Sequence, residues 1–417
     1  MSTPTDRRRF WQVLLLVVVA GLALRVGYVL GAKDGEPMMG DAVYYNHQAA
    51  ALADGRGFAC PDPGTPSCLH SVPVADHPPL TALAMAPAAS LFDRNETAQR
   101  LSMTLLGAAG VLLVGLIGRE LAGDRAGWIA AGVAALYPNL WVNDALIMAE
   151  TLSVLSVAAA VLLAYKFIRR PSMGRGVALG AVCGFGILAR AELGLLLPFV
   201  VLPVILLART LVTGQRLRIA AAAVLATAVV IAPWVIPNMF RFRKPVFLST
   251  NDGITISGAN CPSVYSGPGL GLWTLDCHGA PKGDQSEVDA VLRHRGISYV
   301  KRHLGRLPVV IAAREGLAWS VFRPRLMADY NKGEGRETWV SWSGLVAYYL
   351  LVPFAVAGGI VLRRRGVRLL PLLAQVVIVL VTVALFYGLV RFRVPAEITI
   401  VVLAAVAIDA IVSRTWP

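Results

Sequence analysis

Hydrophobic residues fall along this chain in ten runs, near 10–32, 98–118, 126–143, 146–168, 174–190, 192–209, 218–237, 342–362, 369–390 and 394–413. Each is close to the roughly 20 apolar residues that a helix needs to cross a bilayer. The pattern predicts an all-α polytopic membrane protein with about ten transmembrane helices. Two polar stretches interrupt it, one after the first run and a longer one after the seventh. The chain therefore divides into an N-terminal transmembrane module over 1–237, an extracytoplasmic segment over 238–341, and C-terminal transmembrane helices over 342–417. The first outer loop spans 33–97.

That loop opens Gly40-Asp-Ala-Val-Tyr-Tyr and closes Asp76-His-Pro-Pro-Leu80. A helix starting at Asp41 places Tyr44, Tyr45 and Gln48 on its side. The Asp54-Gly-Arg-Gly57 run ends it, because glycine tolerates the left-handed turn after a helix. Pro78-Pro79-Leu80 reads as a rigid entry to a helix lying along the membrane. In the later polar stretch, 244–253 reads as a strand and a turn, 258–283 as irregular, and 286–322 as helical. Arg293, Arg295, Lys301, Arg302 and Arg306 give that helical stretch a basic face, suited to anionic lipid headgroups or to a phosphate.

Composition narrows the class. Of 417 residues, 56% are hydrophobic and 15% charged, with mean hydropathy +0.62. A soluble chain of this size cannot hide so much apolar surface. The net charge of +14 gathers in one set of short loops: Arg119 and Arg125; Lys166, Arg169, Arg170 and Arg175; Arg209, Arg216 and Arg218; Arg363, Arg364, Arg365 and Arg368. With Arg7, Arg8 and Arg9 these mark the cytoplasmic side. An even number of spans puts both termini there. No nucleic-acid-binding motif accompanies the charge, so no nucleic-acid partner is expected. The first apolar run is too long for a signal peptide and lacks a small-residue cleavage site, so it reads as an uncleaved span.

Five cysteines refine the topology. Cys60 and Cys68 lie in the first outer loop, Cys261 and Cys277 in the later one, and Cys183 inside an apolar run. Four outer cysteines allow three connectivities. The two local pairs, Cys60–Cys68 and Cys261–Cys277, each close a short loop and are expected, with Cys183 free. Their spacings are not those of zinc fingers.

The outer side also receives most of the candidate chemistry: Asp41, 139–144, Arg190 with Glu192, and the turn from Arg391 to Glu397. Independent loops converge in this way when they share a site. Asp41 reads either as a helix N-cap or as a general base for a hydroxyl acceptor. Glu150 begins the fourth run, where a charged group usually faces a cavity. Arg190 and Glu192 either tie two helices together or face the same cavity. Arg391 and Arg393, beside Glu397, offer planar forks matched to phosphate oxygens, or snorkel to the interface. His77 reads as a packed or hydrogen-bonding residue more readily than as a catalyst.

The order of these features resembles the GT-C superfamily of integral-membrane glycosyltransferases, in the branch of protein O-mannosyltransferases and the lipid A aminoarabinose transferase. The likeness rests on Gly40-Asp-Ala-Val-Tyr-Tyr, Pro78-Pro79-Leu80, Leu188-Ala-Arg-Ala-Glu192, Pro233-Trp-Val-Ile-Pro-Asn238, Leu248-Ser-Thr-Asn-Asp-Gly253 and Arg391-Phe-Arg-Val-Pro395. Relatives often have Lys or Arg before the two prolines, where this chain has His77. Several have paired acids where Gly40 precedes Asp41. The resemblance implies a multi-pass protein of the bacterial plasma membrane with its active site on the extracytoplasmic face. It further implies a polyprenyl-phosphate sugar donor, an acceptor that is a glycan, lipid or protein, and inverting single displacement. Asp41 is then the catalytic base. Arg391 and Arg393, with Arg190 or His77 assisting, hold the donor phosphate. Tyr44, Tyr45, Glu150, Glu192, Glu397 and Asn238 bind substrate. No cofactor and no metal are expected, and membrane lipids are the remaining partners. A transporter or flippase of lipid-linked glycans is the alternative, but it needs sites reachable from both sides and leaves the long outer segment without a purpose. A non-catalytic scaffold is a third reading.

Overall fold

The computed structural model describes residues 4–60 and 73–415, with side chains over 7–60 and 73–413. Among these there is no strand, only one antiparallel bridge between Ala59 and Pro73. The helices in chain order are α1 (Pro4–Tyr28), α2 (Asp41–Ala53), α3 (Leu80–Leu91), α4 (Glu96–Ala122), α5 (Asp124–Leu136) and α6 (Pro138–Ala145). Then come α7 (Glu150–Arg169), α8 (Met173–Ala189), α9 (Leu202–Leu206), α10 (Thr213–Arg241), α11 (Asp252–Ala259) and α12 (Pro262–Tyr265). The chain ends with α13 (Gln285–Arg302), α14 (Leu307–Ala318), α15 (Pro324–Tyr330), α16 (Thr338–Arg364), α17 (Leu370–Leu385) and α18 (Val394–Thr415).

The fold is all-α and polytopic, as the hydrophobic pattern predicts, but the ten runs are not alike. Among the described residues, six helices are long and apolar enough to cross a membrane: α1, α4, α7, α10, α16 and α18, the first and last extended by short turns. The other runs are helical but short or broken. The third splits at Tyr137, whose extended backbone precedes Pro138 at the start of α6, because the residue before a proline is driven out of helical geometry. The sixth is a 3₁₀ turn, a π turn and then α9, since Pro198 and Pro203 each withhold a backbone donor. The fifth and ninth, α8 and α17, have 17 and 16 residues.

Burial sorts these helices into a centre and a wall. In the apolar windows of α7 and α18, 72% of residues are buried, against 22% in α16. The wall helices turn Leu15, Leu16, Val229, Val346 and Leu350 outward, which suits lipid tails. Helices in lipid gain little from burying apolar area against one another, so close backbone approach matters more. Gly176, Gly180 and Gly184 form a stripe along α8 where a Cβ would collide with Ile219, Ala223 and Val230 of α10. A Cβ on Gly358 of α16 would lie 1.8 Å from the Leu403 carbonyl of α18.

The outer segment departs from its sequence reading in one place. Residues 244–250 form bends, not a strand, and α11 follows. Among the described residues this stretch pairs with no strand; the Thr250 amide instead donates to the Ala75 carbonyl at 2.7 Å. The helical stretch over 286–322 is present as α13 and α14, interrupted at 303–306. Cys261 and Cys277 are disulfide-bonded, and Cys183 is free and buried. The expected Cys60–Cys68 bond lies outside the described residues, because Cys68 does.

Candidate active site

The site is a cavity of about 430 Å³ lined by residues from both ends of the chain, among them Asp41, Tyr45, His77, Glu150, Arg190, Glu192, Asn251, Asp252, Tyr387 and Arg391. Asp41 opens α2 but does not cap it. The N-cap is Gly40, at φ +60, a conformation natural to glycine and strained for other residues. Asp41 therefore has its carboxylate free for tertiary contacts. Oδ2 accepts a hydrogen bond from the Arg391 guanidinium at 2.6 Å, across 350 residues of sequence. His77 Nε2 lies 3.8 Å from its other oxygen and 3.3 Å from Asp76.

The backbone around His77 is pinned from three directions. Arg241 at the end of α10 donates to the Val74 carbonyl at 3.0 Å. Thr250 reaches the Ala75 carbonyl, and the Ala75 amide donates to Gln285 Oε1 at 3.1 Å. Tyr44 and Tyr45 then close on the imidazole, with ring centroids 5.0 and 5.2 Å from it. Tyr45 lines the cavity; Tyr44 supports His77 from beside it. Gln48 is turned away, donating to the Ala59 carbonyl at 3.1 Å.

Arg391 sits on the 3₁₀ turn that precedes α18. Gly388 anchors the approach to that turn through its amide, which donates to the Gly271 carbonyl at 2.9 Å. Besides Asp41, the Arg391 guanidinium touches Glu334 at 3.3 Å and donates to the Tyr387 hydroxyl at 3.0 Å. Arg190, between α8 and the next turn, pairs with both Glu150 and Glu192. The pair suspected from sequence is thus a triad that also faces the cavity.

Burial alone would raise the Asp41 pKa, but Arg391 first, then His77 and Arg190, favour the charged form and hold it well below the usual carboxylate range. Asp76 goes the other way: burial raises it, Asp41 and Asp289 add to that, and His77 offsets only part. Two neighbouring carboxyls with pKa values pushed apart are a frequent mark of acid–base chemistry.

Besides Tyr44, three sequence candidates are not brought to the cavity. Arg393 is 0% exposed; it donates to Glu397 at 2.6 Å, to the Ala318 carbonyl at 3.1 Å and to Ser320 Oγ at 3.1 Å. Glu397 accepts in turn from the Tyr137 hydroxyl at 2.7 Å. This pair ties α18 to its neighbours, and neither Arg393 nor Glu397 lines the cavity. Asn238 is buried within α10, away from the cavity lining. Sequence reasoning missed Glu334, Tyr387 and Asp252 as site residues. Tyr387 stands four positions before Arg391, a spacing that could have flagged it. Glu334 gives no such signal, because only the fold of the outer segment brings it near.

Residues 76–236 match the family model described as dolichyl-phosphate-mannose-protein mannosyltransferase. No curated protein matches the sequence. The structure resembles the archaeal oligosaccharyltransferase AglB from Archaeoglobus fulgidus, solved with an inhibitory peptide and a dolichol-phosphate: TM-score 0.56 and 14% identity, over 99% of this chain and 51% of AglB. The same enzyme tethered to an acceptor peptide with the NVT sequon gives TM-score 0.55 and 15% identity, over 97% and 50%. ArnT from Cupriavidus metallidurans, bound to undecaprenyl phosphate, gives TM-score 0.46 and 17% identity, over 99% and 79%. This chain spans about half the length of AglB. Residues 76–236 thus match the dolichyl-phosphate-mannose-protein mannosyltransferase family model, and the chain as a whole shares the fold of the AglB region it aligns with.

Proposed function

We propose that this protein is an inverting membrane glycosyltransferase that moves a sugar from a polyprenyl-phosphate donor to a glycan, lipid or protein acceptor at the extracytoplasmic face. The observation that carries this reading is the meeting of Asp41 and Arg391 at one cavity. A base and a phosphate-binding fork are the two parts that single displacement on a lipid phosphate requires. The AglB fold has been solved with a dolichol-phosphate, which supports a lipid phosphate as the donor group.

In the step we propose, the acceptor oxygen bonds to the anomeric carbon as the bond from that carbon to the donor phosphate oxygen breaks. The acceptor proton passes to Asp41. The departing phosphate gains negative charge, and Arg391 stabilises it more in the transition state than in the ground state. The Arg190 triad holds Glu150 and Glu192 at the cavity wall, where their remaining lone pairs are placed to accept from sugar hydroxyls. His77 sits between Asp41 and Asp76 as the group that orients the base.

Asp41→Asn tests the base. The helix start does not depend on a side-chain cap there, so the variant is expected to fold, which circular dichroism checks. Turnover of polyprenyl-phosphate sugars should fall by about 10²–10⁴-fold, the usual effect of removing a general base. Undiminished transfer in a folded Asp41→Asn protein would return Asp41 to a structural role.

A further inference from the structure

The sugar-transfer site leaves the opposite end of the bundle unexplained. Three cavity-lining segments run toward that end: α7 from Glu150 to Arg169, the stretch 191–206, and α17. The 16 residues of α17 alone rise by about 24 Å. Where these segments finish, they enclose a groove of about 410 Å³ with Leu206, Leu207 and Leu370 in its wall and Arg209, Arg216 and Arg368 around it.

The charge there has no internal counterpart. No acidic residue lies between Glu192 and Asp252 in the sequence, nor between Glu337 and Glu397, and none lines the groove. Arg216 is held in place by donating to the Leu211 carbonyl at 2.8 Å and the Leu206 carbonyl at 3.3 Å. Among the described residues, the Arg209 and Arg368 side chains make no ion pair, and both are exposed. Beside them Leu206 and Leu207 are 39% and 58% exposed, so apolar surface and guanidinium groups face outward together.

We propose that this groove binds the phosphate headgroup of an anionic membrane lipid, whose acyl chains lie along Leu206 and Leu207. Guanidinium forks match phosphate oxygens in pairs, and basic pockets between membrane helices hold headgroups in this way. A zwitterionic headgroup brings its own cation and fits less well among three arginines. The bound lipid ties the proline-broken stretch 191–206 to α17. Both segments line the cavity at their other ends.

The test compares purified full-length protein with Arg209→Gln/Arg368→Gln and with Arg363→Gln/Arg364→Gln, which removes equal charge outside the groove lining. Retained lipid is measured by native mass spectrometry, and thermal unfolding is followed with added phosphatidylglycerol, phosphatidylcholine or inorganic phosphate. Phosphatidylglycerol should be retained by the unsubstituted protein and should raise its Tm, while phosphatidylcholine and inorganic phosphate do neither. The groove variant should hold phosphatidylglycerol roughly 30-fold more weakly, and the control variant as well as the unsubstituted protein does. Equal retention in the groove variant, equal loss in the control variant, or a Tm shift reproduced by phosphatidylcholine or by inorganic phosphate would each overturn the proposal.

Discussion

Arg391 and Arg393 stand two positions apart and have different work. Arg391 faces the cavity and Asp41, whereas Arg393 is enclosed with Glu397, Ser320 and the Tyr348 ring. Removing one partner of a buried pair strands the other charge, which typically costs about 3–5 kcal/mol. Arg393→Gln is therefore expected to lower thermal stability in detergent by that order, and donor affinity in the folded fraction should be unchanged. Arg391→Gln also strands Asp41 and Glu334, so it should lower donor affinity as well as stability. The acid limb of the pH profile gives a second expectation. Arg391 holds the Asp41 carboxyl below its usual range, so the free protein keeps Asp41 ionised well below neutral pH. A donor phosphate that draws Arg391 away leaves Asp41 with a higher proton affinity. The limb of kcat, which reports the bound state, should then lie at higher pH than that of kcat/KM, which reports the free state. Coincident limbs would show that Arg391 stays on Asp41 throughout turnover. Sequence alone placed both arginines beside the site but could not separate them. On a tight turn, which side chain points inward depends on what packs outside it, here Ala318 and Ser320 of a distant segment.

Helix contacts were legible in outline only. All ten hydrophobic runs are helical, since a 20-residue apolar run has few alternatives in lipid. Their breaks were not read, although Pro138, Pro198 and Pro203 were visible. The supposed strand over 244–250 is bent because, among the described residues, Ala75 alone offers it a backbone partner across the loop. Glycine contacts carry the packing between long helices, and Gly358 is the tightest, with the Leu403 carbonyl where a Cβ would stand. Gly358→Ala must push α16 away from the central α18. Overpacking of this kind costs about 1–3 kcal/mol, to be seen as a lower unfolding temperature. Gly214→Ala, where a Cβ would meet nothing within 4 Å, is the control and should leave that temperature unchanged.

At the scale of the whole molecule, the cavity and the arginine groove occupy opposite ends of the same segments, and the charge asymmetry of the loops predicts that a membrane separates them. Cysteines introduced at Glu96 and Arg364, both exposed, should react with impermeant maleimide from opposite faces of intact vesicles. Labelling of both from one face would break this topology. The ion pair between Asp41 and Arg391 also has a consequence in time. Its two halves are 350 residues apart, and chains are made at about 5–20 residues per second. For roughly 20–70 s after Asp41 is added to the chain, its guanidinium partner has yet to be translated. A nascent or truncated chain thus carries Asp41 without the guanidinium it pairs with, and the cavity wall is complete only once the turn before α18 has been made.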